Sequence, residues 1–322
     1  MKYSQRSQTM LSRTAESLFW LGRYLERAEA TARVLDVHLH DLIGTTSMHQ
    51  LRWANEIQAL VGMDISETTF DELATILSLS KNHPSSISMC YELAWQNAKS
   101  ARDTVSLELW ESINVTYSRL RRTFVTDLGH SPHAFFAWIK DRSAMARGIS
   151  DTTMNRDQAW FFLHIGRSLE QLDGTARLLR VKLVDPDGED WVVALRCLGG
   201  HEAYIRAVQR PVDKAKAIEF LLTDTSFPKS ILFLAESITD SLGELSRHIV
   251  DPPHKPTVPP SLARLVANLR YPRINELADQ ADSYLAEVEE ALIDLGQTLD
   301  SSLFAPAPES ITSHTQRLEV WI

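Results

Sequence analysis

The sequence predicts an all-α fold: a helical bundle made of two tandem copies of one helical unit related by a pseudo-twofold. Three observations carry this reading. Apolar residues recur at spacings of three and four over long segments, the period of an α-helix. Glycine is scarce, and prolines gather into clusters that punctuate those segments. One stretch near the start reappears 144 residues later with its charges in register.

The first helix is read over 14–43, with Leu21, Leu25, Ala28, Ala32 and Leu35 as its apolar stripe. Ser12 or Thr14 suits its cap and Gly44 its stop. Further helices are read at 49–62, 68–80, 85–128, 132–148, 155–184, 190–208, 212–223, 228–249 and 272–300. Pro84, Pro132 and Pro228 suit first-turn positions, where proline sacrifices no hydrogen bond. The run Trp191-Val192-Val193-Ala194-Leu195 is apolar enough for a short strand, but its continuation reads as helix. Residues 251–260 are proline-rich and are expected to be an extended insertion in the second copy. The domain plan is therefore a disordered N-terminus over 1–9, repeats over 10–150 and 154–300, and a tail over 301–322. That tail ends Arg317-Leu-Glu-Val-Trp-Ile322, apolar enough to dock.

Bulk properties exclude several function classes. At 322 residues with 44% hydrophobic and 23% charged residues, the chain has the profile of a folded protein. A net charge of −9 opposes general binding to nucleic acid or anionic membranes. Cys90 and Cys197 lie far apart, which argues against a disulfide framework and for a reducing compartment. Met1 to Met10 lacks a signal peptide's apolar stretch, and no window is long and apolar enough to span a membrane. The expectation is a cytoplasmic protein.

The repeat concentrates the candidate site. Residues 19–37 and 163–181 are identical at nine of nineteen positions, among them Gly22/Gly166, Arg23/Arg167, Glu26/Glu170 and Arg33/Arg177. Glu29/Asp173 keeps its charge, whereas Gln171 stands where the first copy has Arg27. The same offset relates Leu51-Arg52 to Leu195-Arg196 and Pro84-Ser-Ser-Ile87 to Pro228-Lys-Ser-Ile231. On a helical wheel Arg23, Glu26 and Arg33 fall within about 80° of one another. Their cluster reads three ways: ion pairs that register the two central helices, a site for a carboxylate or phosphate, or an exposed docking face. As an anion site it would comprise Arg23, Arg27, Arg33, Arg102, Arg167, Glu170 and Arg177. Glu26 or Glu29 would do acid/base work if burial raised its pKa. Glu16 and Glu108 read as ion-pair residues.

Arg102, Glu108 and Trp110 form a second constellation that the matching stretch near Arg247 does not keep. No Glu is followed by His three residues on, and H-E-x-x-H and paired C-x-x-C are absent. His38 and His40 diverge on a helix, so no metal and no cofactor are expected. Neither a P-loop nor a Rossmann fingerprint occurs, and nothing marks a nucleophile.

The opening Leu11-Ser-Arg-Thr-Ala-Glu-Ser-Leu-Phe-Trp-Leu-Gly-Arg-Tyr-Leu-Glu-Arg-Ala-Glu29, together with Arg102-Asp103 and Glu108-Leu-Trp110, resembles the bacterial alpha-E family of all-helical proteins. The resemblance runs from about residue 10 to 300. It implies an association with a circularly permuted ATP-grasp protein, with transglutaminase-like proteins as frequent neighbours, and hence a peptide- or amide-forming system. Glu16, Arg23, Glu26, Arg27, Glu29 and Arg33 match the family's motif, with Arg167, Glu170 and Arg177 as a weaker second copy. Three functions follow: a non-catalytic partner or substrate-presenting subunit of an ATP-grasp-type ligase, an enzyme acting on a carboxylate- or phosphate-bearing molecule, or a structural homo-oligomer.

Overall fold

The computed structural model describes residues 12–41, 69–184, 191–249, 255–272 and 277–301, together with Met10, Ile57, Leu60 and Val61. Among them are thirteen helices and no strand: α1 (Ser12–Asp41), α2 (Phe70–Leu79), α3 (Ile87–Ser100), α4 (Leu107–Leu120), α5 (Val125–His130), α6 (Pro132–Thr153), α7 (Gln158–Val184), α8 (Trp191–Leu198), α9 (His201–Val208), α10 (Lys214–Thr223), α11 (Ile231–His248), α12 (Pro260–Arg270) and α13 (Ala281–Leu299). None is long and apolar enough to cross a membrane.

Local chemistry sets the helix starts. Ser86, Ser106, Asp213 and Ser230 each accept a backbone N–H from the first turn of α3, α4, α10 and α11, supplying an acceptor that the helix itself lacks there. Thr69 and Glu72 cap α2 reciprocally.

The single helix expected over 85–128 is broken. The turn after Ala101 and the cap at Ser106 separate α3 from α4, and Arg121 to Phe124 separate α4 from α5. The helix expected over 190–208 is broken at Gly199, whose φ of +68° favours a residue without a Cβ. The possible strand at Trp191 is helix α8. Pro132 does open α6, but Pro84 and Pro228 sit in the turns that precede the Ser86 and Ser230 caps. α12 was not anticipated: Pro260, expected to end an extended connector, is the first residue of a helix. α13 starts at Ala281 rather than 272. The readings at 1–9, 44, 51–52, 251–254 and 302–322 lie outside the described residues.

α1 and α7 are the axis of the molecule. α1 packs against α3 and α6, and α4 touches both α3 and α6, so these four helices close a ring. α7, α11, α12 and α13 close a second ring in the same way. The rings meet where α1 lies against α7. The two helices run in the same direction: Phe19 meets Gly166, Gly22 meets Leu163, and Arg27 meets Glu170. A Cβ added to Gly22 would lie 2.2 Å from the Leu163 carbonyl oxygen, and one on Gly166 would lie 2.0 Å from that of Phe19. Only glycine lets the two backbones approach this closely. α2 and α10 begin 144 residues apart, as do α3 and α11.

Candidate functional site

Past the glycine contact the motif residues face one another across α1 and α7. Glu170 of α7 accepts from Arg23 Nε at 2.6 Å and from Arg27 Nε and Nη2 at 2.6 and 3.0 Å. Reciprocally, Glu26 of α1 lies 3.5 Å from Arg167 Nε and accepts from Gln171 Nε2 at 2.7 Å. Gln171, which stands 144 residues after Arg27, thus makes a contact with the facing glutamate without carrying a charge. Arg147 of α6 supplies that charge, its Nη2 lying 2.7 and 2.6 Å from the two Glu26 oxygens.

A second tier lies one turn further along. Arg33 donates to Glu29, and Arg177 donates to Asp173. Lys229, from the loop before α11, reaches Glu29 at 3.2 Å, and Arg23 lies 3.8 Å from Asp173. Arg167 also donates to Ser150 and Asp151. The cations rest on aromatic faces, Arg23 over Trp20 at 5.3 Å and Arg27 over Tyr24 at 5.9 Å.

The three glutamates are buried, and cations outnumber carboxylates around them. Each of Glu26, Glu29, Glu170 and Asp173 lies between two cations. Burial alone would raise the Glu29 carboxyl, but Lys229 and Arg33 outweigh it and hold the group at about 2. Burial opposes ionisation of Glu170 too, yet Arg27 and Arg23 keep its carboxyl well below the ordinary range. The raised pKa that acid/base work by Glu29 requires is therefore reversed in sign. Cys90 is buried beside the network, and burial pushes its thiol up to about 12, away from the reactive thiolate form.

A cavity of about 90 Å³ opens beside this network. Val34, Ile57, Leu77 and Leu198 line its apolar body, and Arg27, Glu170 and Arg177 form its polar wall. It is smaller than the cavity of about 150 Å³ that admits benzene. Roomier clefts of about 420 and 440 Å³ flank α10, and no motif residue lines them.

The structure brings together Arg23, Arg27, Arg33, Arg167, Glu170 and Arg177 with Glu26 and Glu29. It does not bring Arg102 there. Arg102 lies over Trp110 at 5.6 Å, beside Trp95, which stacks on Tyr117. Glu108 is exposed in the first turn of α4. Glu16 is half-buried, and its carboxyl is raised by burial and by Asp300 rather than lowered as a strong ion pair would do. Sequence reasoning missed Arg147, Asp151 and Lys229. All three come from elements outside the 163–181 stretch; Lys229 lies in a segment that the 144-residue offset relates to Pro84-Ser-Ser-Ile87, but its counterpart there is Ser85, which carries no charge.

Two parallel central helices, locked by glycine contact and by swapped Arg–carboxylate pairs, define an all-helical protein organised around its Glu/Arg motif. The family model for Alpha-E, described as a predicted alpha-helical domain with a conserved ER motif, matches residues 10–304. The chain belongs to this family. Comparison with curated proteins and with solved structures finds no match.

Proposed function

We propose that this chain is a non-catalytic partner, or substrate-presenting subunit, of an ATP-grasp-type peptide or amide ligase system. Its two halves are copies of one helical unit, and the Arg/Glu cluster fixes their register about a pseudo-twofold between α1 and α7. The observation that carries the non-catalytic reading is the saturation of the cluster. Glu26, Glu29, Glu170 and Asp173 are each shared by two cations, and at Glu29 and Glu170 those cations hold the carboxyl below its ordinary range, away from the raised pKa that proton transfer at neutral pH needs.

Reciprocal contacts support the duplication. Gly22 meets Leu163 while Gly166 meets Phe19, and these positions are paired by the 144-residue offset. Thr31 donates to the Ser85 carbonyl at 3.1 Å, and Thr175 donates to the Lys229 carbonyl at 2.9 Å, again one offset apart. A contact of i with j and of j with i is what a twofold generates. Glu26-Arg27 is a Glu-Arg step within the matched residues, and we read it as the ER motif of the family description; both of its side chains end in the inter-helix network. Cys90 and Cys197 are both buried, and so few cysteines in so long a chain accord with a reducing, cytoplasmic setting.

The ligase partnership rests on the family resemblance, with a transglutaminase-like protein as a further candidate partner. It is tested by co-expressing the chain with the ATP-grasp protein encoded beside it. The two should co-elute in size-exclusion chromatography with added ATP and Mg²⁺. Separate elution across a range of concentrations and nucleotides overturns the partnership.

A further inference from the structure

A different group of residues gathers near the far end of α1. Asp36 and His40 lie one turn apart on that helix, and His133 comes from the first turn of α6. His133 Nδ1 is 2.6 Å from Asp36 Oδ1 and 3.2 Å from His40 Nε2. Ligand atoms of all three lie within 4.8 Å of one another. A metal bonded at about 2.1 Å sets neighbouring ligand atoms roughly 3 Å apart, so small side-chain adjustments would let one ion meet all three.

Hydrogen bonding alone serves this group badly. One nitrogen, His133 Nδ1, faces both Asp36 and His40. If it carries a proton, that proton cannot serve both neighbours well. If it does not, its lone pair faces the Asp36 carboxylate. A cation between the three satisfies all of them at once.

Helix pairing does not explain the imidazoles either. Asp36 is buried, and its second oxygen accepts from Lys140 Nζ of α6 at 2.6 Å. The corresponding helices of the second ring, α7 and α13, are bridged by Arg180 and Glu289 at 2.9 Å, with Arg180 standing 144 residues after Asp36. That bridge has no histidine on it. His40 and His133 are thus additions to a link that works without them. Lys140 holds the carboxylate with Oδ1 turned towards the two imidazoles, as a supporting partner orients a ligand. The carbonyl end of α1 also favours a cation. Both histidines are exposed, so an ion can reach them.

We propose that Asp36, His40 and His133 form a site for a first-row transition-metal dication, zinc foremost, that ties α1 to α6 and leaves coordination positions open to water or a partner's group. Two imidazole nitrogens and one carboxylate oxygen suit zinc, cobalt or nickel better than magnesium or calcium.

The test uses the untagged full chain titrated with Co²⁺ and followed by visible absorption, then by Zn²⁺ competition and thermal melting. The intact chain should take one Co²⁺, release it to Zn²⁺, and melt higher with Zn²⁺ present. The double variant H40Q/H133Q should bind more than about 100-fold more weakly and lose the zinc shift, while melting unchanged in chelator. If that variant is poorly folded, H40Q alone should show the same loss. Unchanged stoichiometry and affinity in the variants overturns the proposal, as does failure of the intact chain to bind micromolar Co²⁺ or Zn²⁺. Either failure leaves the ligase partnership untouched, because that reading does not depend on a metal.

Discussion

Glu170 and Glu26 occupy matching positions on α7 and α1, yet they are neutralised differently. Glu170 is held by Arg23 and Arg27, both on the facing helix and both about 11% exposed. Glu26 is held by Arg167, which is 10% exposed, and by Arg147, which is 34% exposed and comes from α6. Gln171 fills the place of the missing arginine. The electrostatic demand is the same at both positions, since a buried carboxylate without a partner is strongly destabilising. The freedom to relax is not. Arg147 can swing into water if its partner is lost, whereas Arg23 would keep only Asp173 at 3.8 Å and Arg27 only the small cavity that it lines.

The largest effect should come from the contact that both halves share. Gly22→Ala and Gly166→Ala each drive a methyl group into a backbone carbonyl, which cannot step aside as a flexible side chain can. Each should cost about 3 kcal/mol or more, read as a lowered denaturant midpoint. Alanine is intrinsically better in a helix by about 1 kcal/mol, so the sign of the change separates crowding from propensity. Gly174→Ala, on the same α7 but with open space at its Cβ, should be neutral or stabilising. Equal behaviour of all three variants would refute the close approach.

Next in size is the contrast between the carboxylates. Glu170→Gln takes the charge from between two buried guanidinium groups, leaving Arg23 only Asp173 at 3.8 Å, and should cost about 3–5 kcal/mol. Glu26→Gln should cost less, about half as much, because one of its partners is near the surface. Chemical denaturation of the two variants decides this. Equal losses would mean that Arg147 is as firmly held as Arg23 and Arg27.

These contrasts mark what the sequence could disclose. Leu21, Leu25, Ala28, Ala32 and Leu35 announce α1 through their spacing, and all five are buried. The Arg23/Glu26 and Arg167/Glu170 repeats announce that something charged is doubled. Their swapped pairing depends on α1 and α7 running in parallel in close contact. No local pattern records that, although Gly22 and Gly166 at matching positions were the visible hint. The contacts of Arg147 and Lys229 were illegible because tertiary packing alone brings α6 and the α11 cap loop to the motif, even though the offset had singled out the segment that holds Lys229. The break at Ser106 was missed for a milder reason: the apolar period continues across it, and a serine inside a run reads equally as cap or interior. α12 was missed because the prolines before it suggested extended chain, whereas the last of them opens a helix. The Asp36–His40 spacing was present too, but its third ligand arrives from α6.

The smallest effect separates the halves by pH. His164 on α7 stands where α1 carries Trp20, stacked on Trp160 and hydrogen-bonded to Ser237 at 2.9 Å. Burial, with Arg167 nearby, lowers its pKa from 6.5 to about 4. Burial, with Lys182 nearby, lowers that of His38 from 6.5 to about 3. Below pH 6.5 the unfolded chain takes up these protons and the folded chain does not, so stability falls as the pH drops. Glu29, at about 2 in the folded protein against 4.5 unfolded, joins only below about pH 4.5, when the unfolded carboxylate begins to protonate first. Stability should therefore be flat with respect to these groups above about pH 6.5, and decline at a roughly even slope from about pH 6 to about 4, Glu29 taking over as His164 begins to protonate in the folded protein as well. Between about pH 6 and 4.5 each histidine contributes up to one proton to the slope, so His164→Gln should reduce that slope by about half while leaving the decline below about pH 4 largely in place. Denaturant titrations across this range measure it. An unchanged slope in His164→Gln would show that His164 reaches solvent as readily folded as unfolded.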